Sequence, residues 1–130
     1  MRDITIELRP KTAEIARIAS VLAREQVTLR AGGAQAVGSR LVARFVPSDI
    51  DAARRALDAA AVPFVEHEIV TVLVESRAGE LAAVSSRLAE AGVSIQAIYL
   101  TAMLGNVLQI ALVTDSPARV KRLLGSRAGP

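Results

Sequence analysis

The segment Glu75-Ser76-Arg77-Ala78-Gly79-Glu80 gathers two carboxylates, a guanidinium, a hydroxyl and a glycine. It lies where the alternating run Val70-Thr71-Val72-Leu73-Val74 gives way to the helical spacing of Leu81, Val84 and Leu88. A turn from strand into helix aims backbone N–H groups at whatever occupies the loop, and the N-terminal end of a helix favours a carboxylate. Gly79 either lets a ligand approach the backbone closely or simply accommodates a tight turn, and both readings stand on residue type alone. A second cluster surrounds the single histidine, His67, which is flanked by Glu66 and Glu68. Strand alternation puts the two glutamates on one face and the imidazole on the other, which separates a would-be metal trio and predicts a solvated strand edge. No second cue pairs His67 with a serine nucleophile, so neither a hydrolytic triad nor any other catalysis is expected.

Composition narrows the chemistry further. There are no cysteines, which excludes disulfides, thiolate metal sites and a cysteine nucleophile, and no cofactor is implied. The 16 Lys and Arg exceed the 13 Asp and Glu by only three charges, a field too weak to argue for nucleic acid. Aromatics make up 2% of the chain, so stacking platforms for bases are nearly absent. The basic pairs Arg54-Arg55 and Lys121-Arg122 sit opposite apolar helix stripes, where solvation explains them. The amino-terminal residues Met1-Arg2-Asp3-Ile4-Thr5-Ile6-Glu7 alternate apolar with polar, unlike the central region of a signal peptide. Thr101, Gly105, Asn106 and Gln109 interrupt the apolar stretch from Ala97 to Val113, which therefore reads as two paired strands. No nucleic acid, no membrane and a cytoplasmic location are expected.

The elements that must position these residues are written twice. One constant offset lays Val70-Thr71-Val72-Leu73-Val74 on Ile4-Thr5-Ile6-Glu7-Leu8, and Leu81, Val84, Leu88, Val93 and Ile95 on Ile15, Ile18, Leu22, Val27 and Leu29. An offset one residue longer places Gly105 on Gly38 and Leu108, Ile110 and Leu112 on Leu41, Ala43 and Phe45. The first copy reads as a strand over 3–8, a helix over 12–25, strands over 27–36 and 39–46, a helix over 49–60 with Ser48 as N-cap, and a strand over 62–68. The second copy reads as a strand over 69–75, a helix over 79–91, strands over 93–102 and 106–113, and a helix over 116–125; the chain then ends in Ser126-Arg127-Ala128-Gly129-Pro130 without the last strand. Gly32-Gly33, inside the second strand of the first copy, marks a bulge or a close packing point.

The order βαββαβ predicts an α+β architecture of two ferredoxin-like repeats, each an antiparallel sheet with both helices on one face, divided as 1–68 and 69–130. A chain of 130 residues that is 52% hydrophobic suits two small units. Units of roughly 65 residues bury too little surface alone and are expected to share a core or dimerise.

With the turn Glu75-Ser76-Arg77-Ala78-Gly79, the helix positions Leu81, Val84, Leu88 and Ala89, and Ala91-Gly92-Val93-Ser94-Ile95 leading into the next strand, the sequence resembles the ACT domain, a small-molecule-binding module of amino-acid metabolism. Ala97 to Leu100, with Tyr99, also resembles the regulatory domain of phosphoglycerate dehydrogenase. The likeness covers both copies and thus nearly the whole chain. It implies a stand-alone, tandem ACT-type amino-acid sensor whose ligand lies where two units meet, between the first loop of one and the second strand of the other.

Carried over by position, Ser76 takes a slot often filled by Asp or Asn, Gly79 the glycine slot, and Ser94 a strand slot often filled by Asn. The implied binding set is Glu75, Ser76, Arg77, Ala78, Gly79, Glu80 and Ser94, with Thr28 and Arg30 of the first copy facing that loop. The carboxylate of an amino acid would meet the N–H groups near Gly79, and its ammonium would meet Ser94 or Glu75. In the first copy Arg9-Pro10-Lys11-Thr12-Ala13-Glu14 carries Thr12 where the family turn has proline and Ala13 where it has glycine, which makes that loop scaffold or a half-site. The expected partners are an amino acid or similar metabolite, a second copy in a homodimer, and a regulated metabolic enzyme. The alternative is a structural or regulatory subunit that docks on such an enzyme through the sheet edge left by the missing strand, without binding a ligand.

Overall fold

The period-two alternation of Ile4, Ile6 and Leu8 builds β1 (Arg2–Leu8) in a computed structural model that describes residues 1–127. It is followed by α1 (Thr12–Arg24), β2 (Leu29–Val37), β3 (Arg40–Pro47), α2 (Ile50–Ala59) and β4 (Val65–Glu68). The sheet order is β2-β3-β1-β4, with β3 antiparallel to both neighbours. Ile4 faces Phe45 and Ile6 faces Ala43 across the ladder, so the apolar face of the sheet is one continuous surface. Ile18 and Leu22 of α1 and Ala53 and Leu57 of α2 close over it. This is the first of two compact units and spans Arg2–His67.

The second unit comprises Met1 and the chain from Glu68 onward. It contains β5 (Val70–Glu75), α3 (Glu80–Glu90), β6 (Ile95–Leu104), β7 (Val107–Thr114), α4 (Pro117–Leu124) and a 3-10 turn at Gly125–Arg127. Among the described residues its sheet has three strands in the order β5-β7-β6, again antiparallel. Its core is aliphatic: Val70, Val72, Val74, Val84, Leu88, Leu112 and Val120. The two units are the two ferredoxin-like repeats expected from the periodicity. Of the closing run Ser126–Pro130, the last three residues lie outside the described ones.

Element boundaries differ from those expected by one to three residues for identifiable reasons. Asp49, not Ser48, caps α2: its carboxylate accepts the Ala52 N–H at 3.1 Å, while the Ser48 hydroxyl accepts the Thr28 N–H at 3.1 Å. The strands expected from 27, 62 and 93 begin later because Val27, Val62 and Val93 finish the preceding helices. Their N–H groups donate back to Leu22, Leu57 and Leu88 carbonyls at 3.1, 2.9 and 2.9 Å, and each valine is buried. The residue before each valine is left-handed: Gln26 (φ 60°), Ala61 (φ 55°) and Gly92 (φ 73°). This is the Schellman ending with its hydrophobic contact, used three times.

Candidate functional site

The β5–α3 turn is held at its base by main-chain bonds. Ser76 N–H donates to the Asn106 carbonyl at 2.7 Å and Arg77 N–H to the Glu75 carbonyl at 2.8 Å. Gly79 is the N-cap of α3 with φ 91°, a left-handed conformation that side chains rarely adopt, and a Cβ built there meets nothing within 4 Å. The turn thus requires glycine for its dihedral, and the space beside it is open. No side chain caps α3. Glu80 N–H turns back to the Arg77 carbonyl at 3.4 Å and Ala83 N–H donates to the Gly79 carbonyl at 2.9 Å, which leaves the N–H groups of Leu81 and Ala82 without an intrahelical acceptor.

Charged side chains line a recess at the same turn, although Ala78 and Gly79 are not among its lining residues. Arg77 Nε lies 2.8 Å from Glu75 Oε2, and Arg77 Nη2 donates to Glu80 Oε1 at 2.7 Å. The hydrogen bond that Arg77 donates to Glu80, with the charges of Glu75 and Glu80, raises the Arg77 pKa above its ordinary value, so the guanidinium stays charged throughout. A recess of about 280 Å³ is walled by Leu73, Glu75, Arg77, Glu80, Val107 and Arg127. An adjoining one of about 510 Å³ adds Ser76 and Asn106. Two carboxylates and two guanidinium groups around a small recess are complementary to a zwitterion: the carboxylates take an ammonium, and the guanidinium groups take a carboxylate.

The remaining expected site residues lie elsewhere. Ser94 precedes β6, where its N–H donates to Asp115 Oδ1 at 3.0 Å and its carbonyl accepts the Asp115 N–H at 3.2 Å. In the ladder Glu75 faces Val107 whereas Ile95 faces Thr114. Helix α3 carries the chain back along the sheet, so Ser94 and Gly79 stand at opposite ends of this unit. Within it, one small molecule that touches the turn meets Glu75 and not Ser94. Thr28 and Arg30 belong to the first unit: the Thr28 main chain exchanges hydrogen bonds with Ser48, and Arg30 is exposed at a register shift between Leu29 and Ala31 of β2. The corresponding first-unit turn is shorter. Lys11 is the N-cap and α1 starts at Thr12, which places Ala13 inside the first helical turn and leaves no glycine in the loop.

Glu66 and His67 lie on β4, the edge strand of its sheet as expected, but both side chains are partly buried rather than solvated. Arg54 grips Glu66 through Nε and Nη2, both at 2.7 Å, and Arg2 Nε donates to it at 3.1 Å. These bonds, that from Arg54 foremost, hold the Glu66 carboxyl below its usual range. His67 Nδ1 lies 3.6 Å from Asp3 Oδ1, and Asp3 is fully buried with Arg44 Nη1 at 3.1 Å from its Oδ2. Sequence reading missed Asp3; its signal was a lone carboxylate alternating with Ile4 at the head of a strand. Among the described residues no group of three or more His, Asp or Glu side chains is placed to hold a metal ion, and no helix is long and apolar enough to cross a membrane.

No protein-family model matches the chain, and no curated protein matches it in sequence. Among solved structures, it is similar to protein BT0572 from Bacteroides thetaiotaomicron, with a TM-score of 0.83 at 24% identity over 95% of this chain and 85% of that one. It is also similar to the regulatory subunit of aspartate kinase from Thermus thermophilus in its ligand-free form, with a TM-score of 0.69 at 16% identity over 97% and 91% of the two chains. The regulatory subunit of aspartate kinase from Thermus flavus superposes with a TM-score of 0.68 at 17% identity over 95% and 89%. In fold, the chain is an ACT-like tandem-domain protein.

Proposed function

We propose that this tandem ACT-like chain is a non-catalytic regulatory protein that binds an amino acid at the β5–α3 turn. The observation that carries the reading is the grouping of Glu75, Arg77 and Glu80, joined by ion pairs, around one recess at the turn that the left-handed Gly79 shapes. The ligand carboxylate takes the Arg77 guanidinium. The ammonium takes Glu75, which is the more exposed of the two glutamates. Binding replaces the Arg77–Glu75 contact with ligand contacts and tightens the turn, and it acts as a switch to the extent that it favours one arrangement of the protein over another. The fold shared with regulatory subunits of aspartate kinase supports the regulatory part of the reading. The output fitting such a module is control of a metabolic enzyme.

A thermal-shift screen of the twenty amino acids tests it. A ligand that binds only the folded state at a hundredfold excess over its Kd stabilises by about 2.7 kcal/mol, several degrees of Tm. One amino acid is expected to raise the Tm of the wild type and to lose that effect in Glu75→Gln, whose unliganded Tm should be nearly unchanged because the side chain is exposed. If no amino acid shifts the wild type at millimolar concentration, the sensor reading fails. The position of β5 at the end of its sheet among the described residues then favours the second reading, a subunit that docks through that edge.

A further inference from the structure

The first unit contains a cavity of about 430 Å³ between α1 and the β2–β3 side of its sheet. Comparing the two repeats shows where the space comes from. In the second unit Ile98 faces Leu112 and Leu100 faces Ile110; at the matching ladder positions of the first unit Gly32 faces Phe45 and Ala34 faces Ala43. Two large aliphatic side chains of β6 are thus replaced on β2 by a hydrogen atom and a methyl group, and Ile110 by Ala43. The positions are not interchangeable. At Gly32 φ is 150°, and a Cβ would stand 2.5 Å from the Arg44 carbonyl oxygen, so β2 runs too close to β3 for any side chain there. Ile15, Ile18 and Leu22 of α1 form the opposite wall, and Ile15 is largely exposed at the rim. The charged residues on the border are both cationic: Arg44, which Asp3 already holds, and Arg30, which has no hydrogen-bond or ion-pair partner among the described residues.

We propose that this cavity is a second ligand site, distinct from the β5–α3 turn, which takes an aliphatic carboxylate with its chain between α1 and β2 and its headgroup on Arg30. The volume lies within the range of about 300–1,000 Å³ typical of small-molecule sites. The aliphatic walls select a saturated chain, and the unpaired guanidinium, with no carboxylate on the border, selects an anionic head.

The probe is octanoate, followed by methyl NMR shifts of Ile15, Ile18 and Ala34 in the full chain. Saturable shifts at these methyls are expected, with affinity improving about fourfold per methylene from butanoate to octanoate. Octylammonium should bind at least about tenfold more weakly, which is one ion pair's worth of discrimination. Ala34→Leu, which restores the residue of the other repeat, should abolish binding. Arg30→Gln, an exposed change that leaves the core intact, should weaken octanoate about tenfold and leave 1-octanol unchanged. Gly79→Ala should have no effect on octanoate, so the two sites fail or stand separately. The proposal is overturned if octanoate gives no saturable shift at the α1 and β2 methyls, if Ala34→Leu binds as the wild type does, or if octylammonium binds as well as octanoate. Concentration-dependent self-association that Ala34→Leu removes while octanoate fails to bind assigns the cavity to a second copy of the chain, which also overturns it.

Discussion

Glu66 sits where three charged side chains meet, and its two partners differ in geometry. Arg54 presents a two-pronged contact from α2, while Arg2 offers a single longer bond from the first strand. Because the folded-state pKa of Glu66 lies below its ordinary value of 4.5, the stability it contributes is fully present above that value and is lost as pH falls through the lowered one. Glu66→Gln is therefore expected to lower stability at pH 7 by up to about 1 kcal/mol, discounted because Arg54 is partly exposed. Melting curves of wild type and variant between pH 7 and pH 3 should converge at the acid end; parallel curves would deny the carboxylate its role. At the turn, Arg77→Ala leaves Glu75 and Glu80 without their shared cation. Both ion pairs are largely solvated on the arginine side, so the fold should lose little stability. The amino-acid-induced Tm shift of the screen above should vanish. An intact shift would move the carboxylate contact elsewhere.

Three helices end in the same motif with three different residues in its left-handed position. Glycine occupies it after α3, but Gln26 and Ala61 occupy it after α1 and α2. A side chain in this conformation costs about 1–2 kcal/mol, and a glycine returns part of that gain through the greater entropy of the unfolded chain. Gln26→Gly and Ala61→Gly should each stabilise by roughly 0.5–1 kcal/mol, and Gly92→Ala should destabilise by about 1 kcal/mol. Urea midpoints at constant slope would show this as two shifts up and one down. Gly92-Val93 carries a sequence signal for the motif, a glycine before a valine, whereas Gln26-Val27 and Ala61-Val62 carry none because their left-handed residues have side chains; at all three the valine reads as the start of a strand. The same blindness moved the α2 cap to Ser48: Ser48 and Asp49 are both good caps by type, and only the competing bond from Thr28 N–H decides between them.

Each unit has its own apolar centre, with Leu57 fully buried in the first and Leu88 in the second. Leu57→Ala and Leu88→Ala should each cost about 2–5 kcal/mol, transfer and cavity terms combined, as read from denaturant unfolding. A loss below about 1 kcal/mol at either site would mean that its surroundings collapse freely. The repeat, the order of strands and helices, and the aliphatic character of both cores follow from the sequence by itself, because burial of every second or every third-to-fourth residue leaves a periodic trace that tolerates low identity. The turn around Gly79 was equally legible, since a glycine among charges between two periodicities is a local pattern. What only the tertiary structure decided are the features that depend on residues far apart in the chain. It joined Arg54 and Arg2 to Glu66, buried Asp3 beside Arg44 and His67, and set Ser94 at the far end of the sheet from Gly79. It also opened a cavity beside Ala34 and Ala43, while Gly32 is the close packing point of β2 on β3. The physical reason is that periodicity specifies which face a side chain takes, whereas its neighbour is chosen by strand register and helix packing, which the chain settles only when folded.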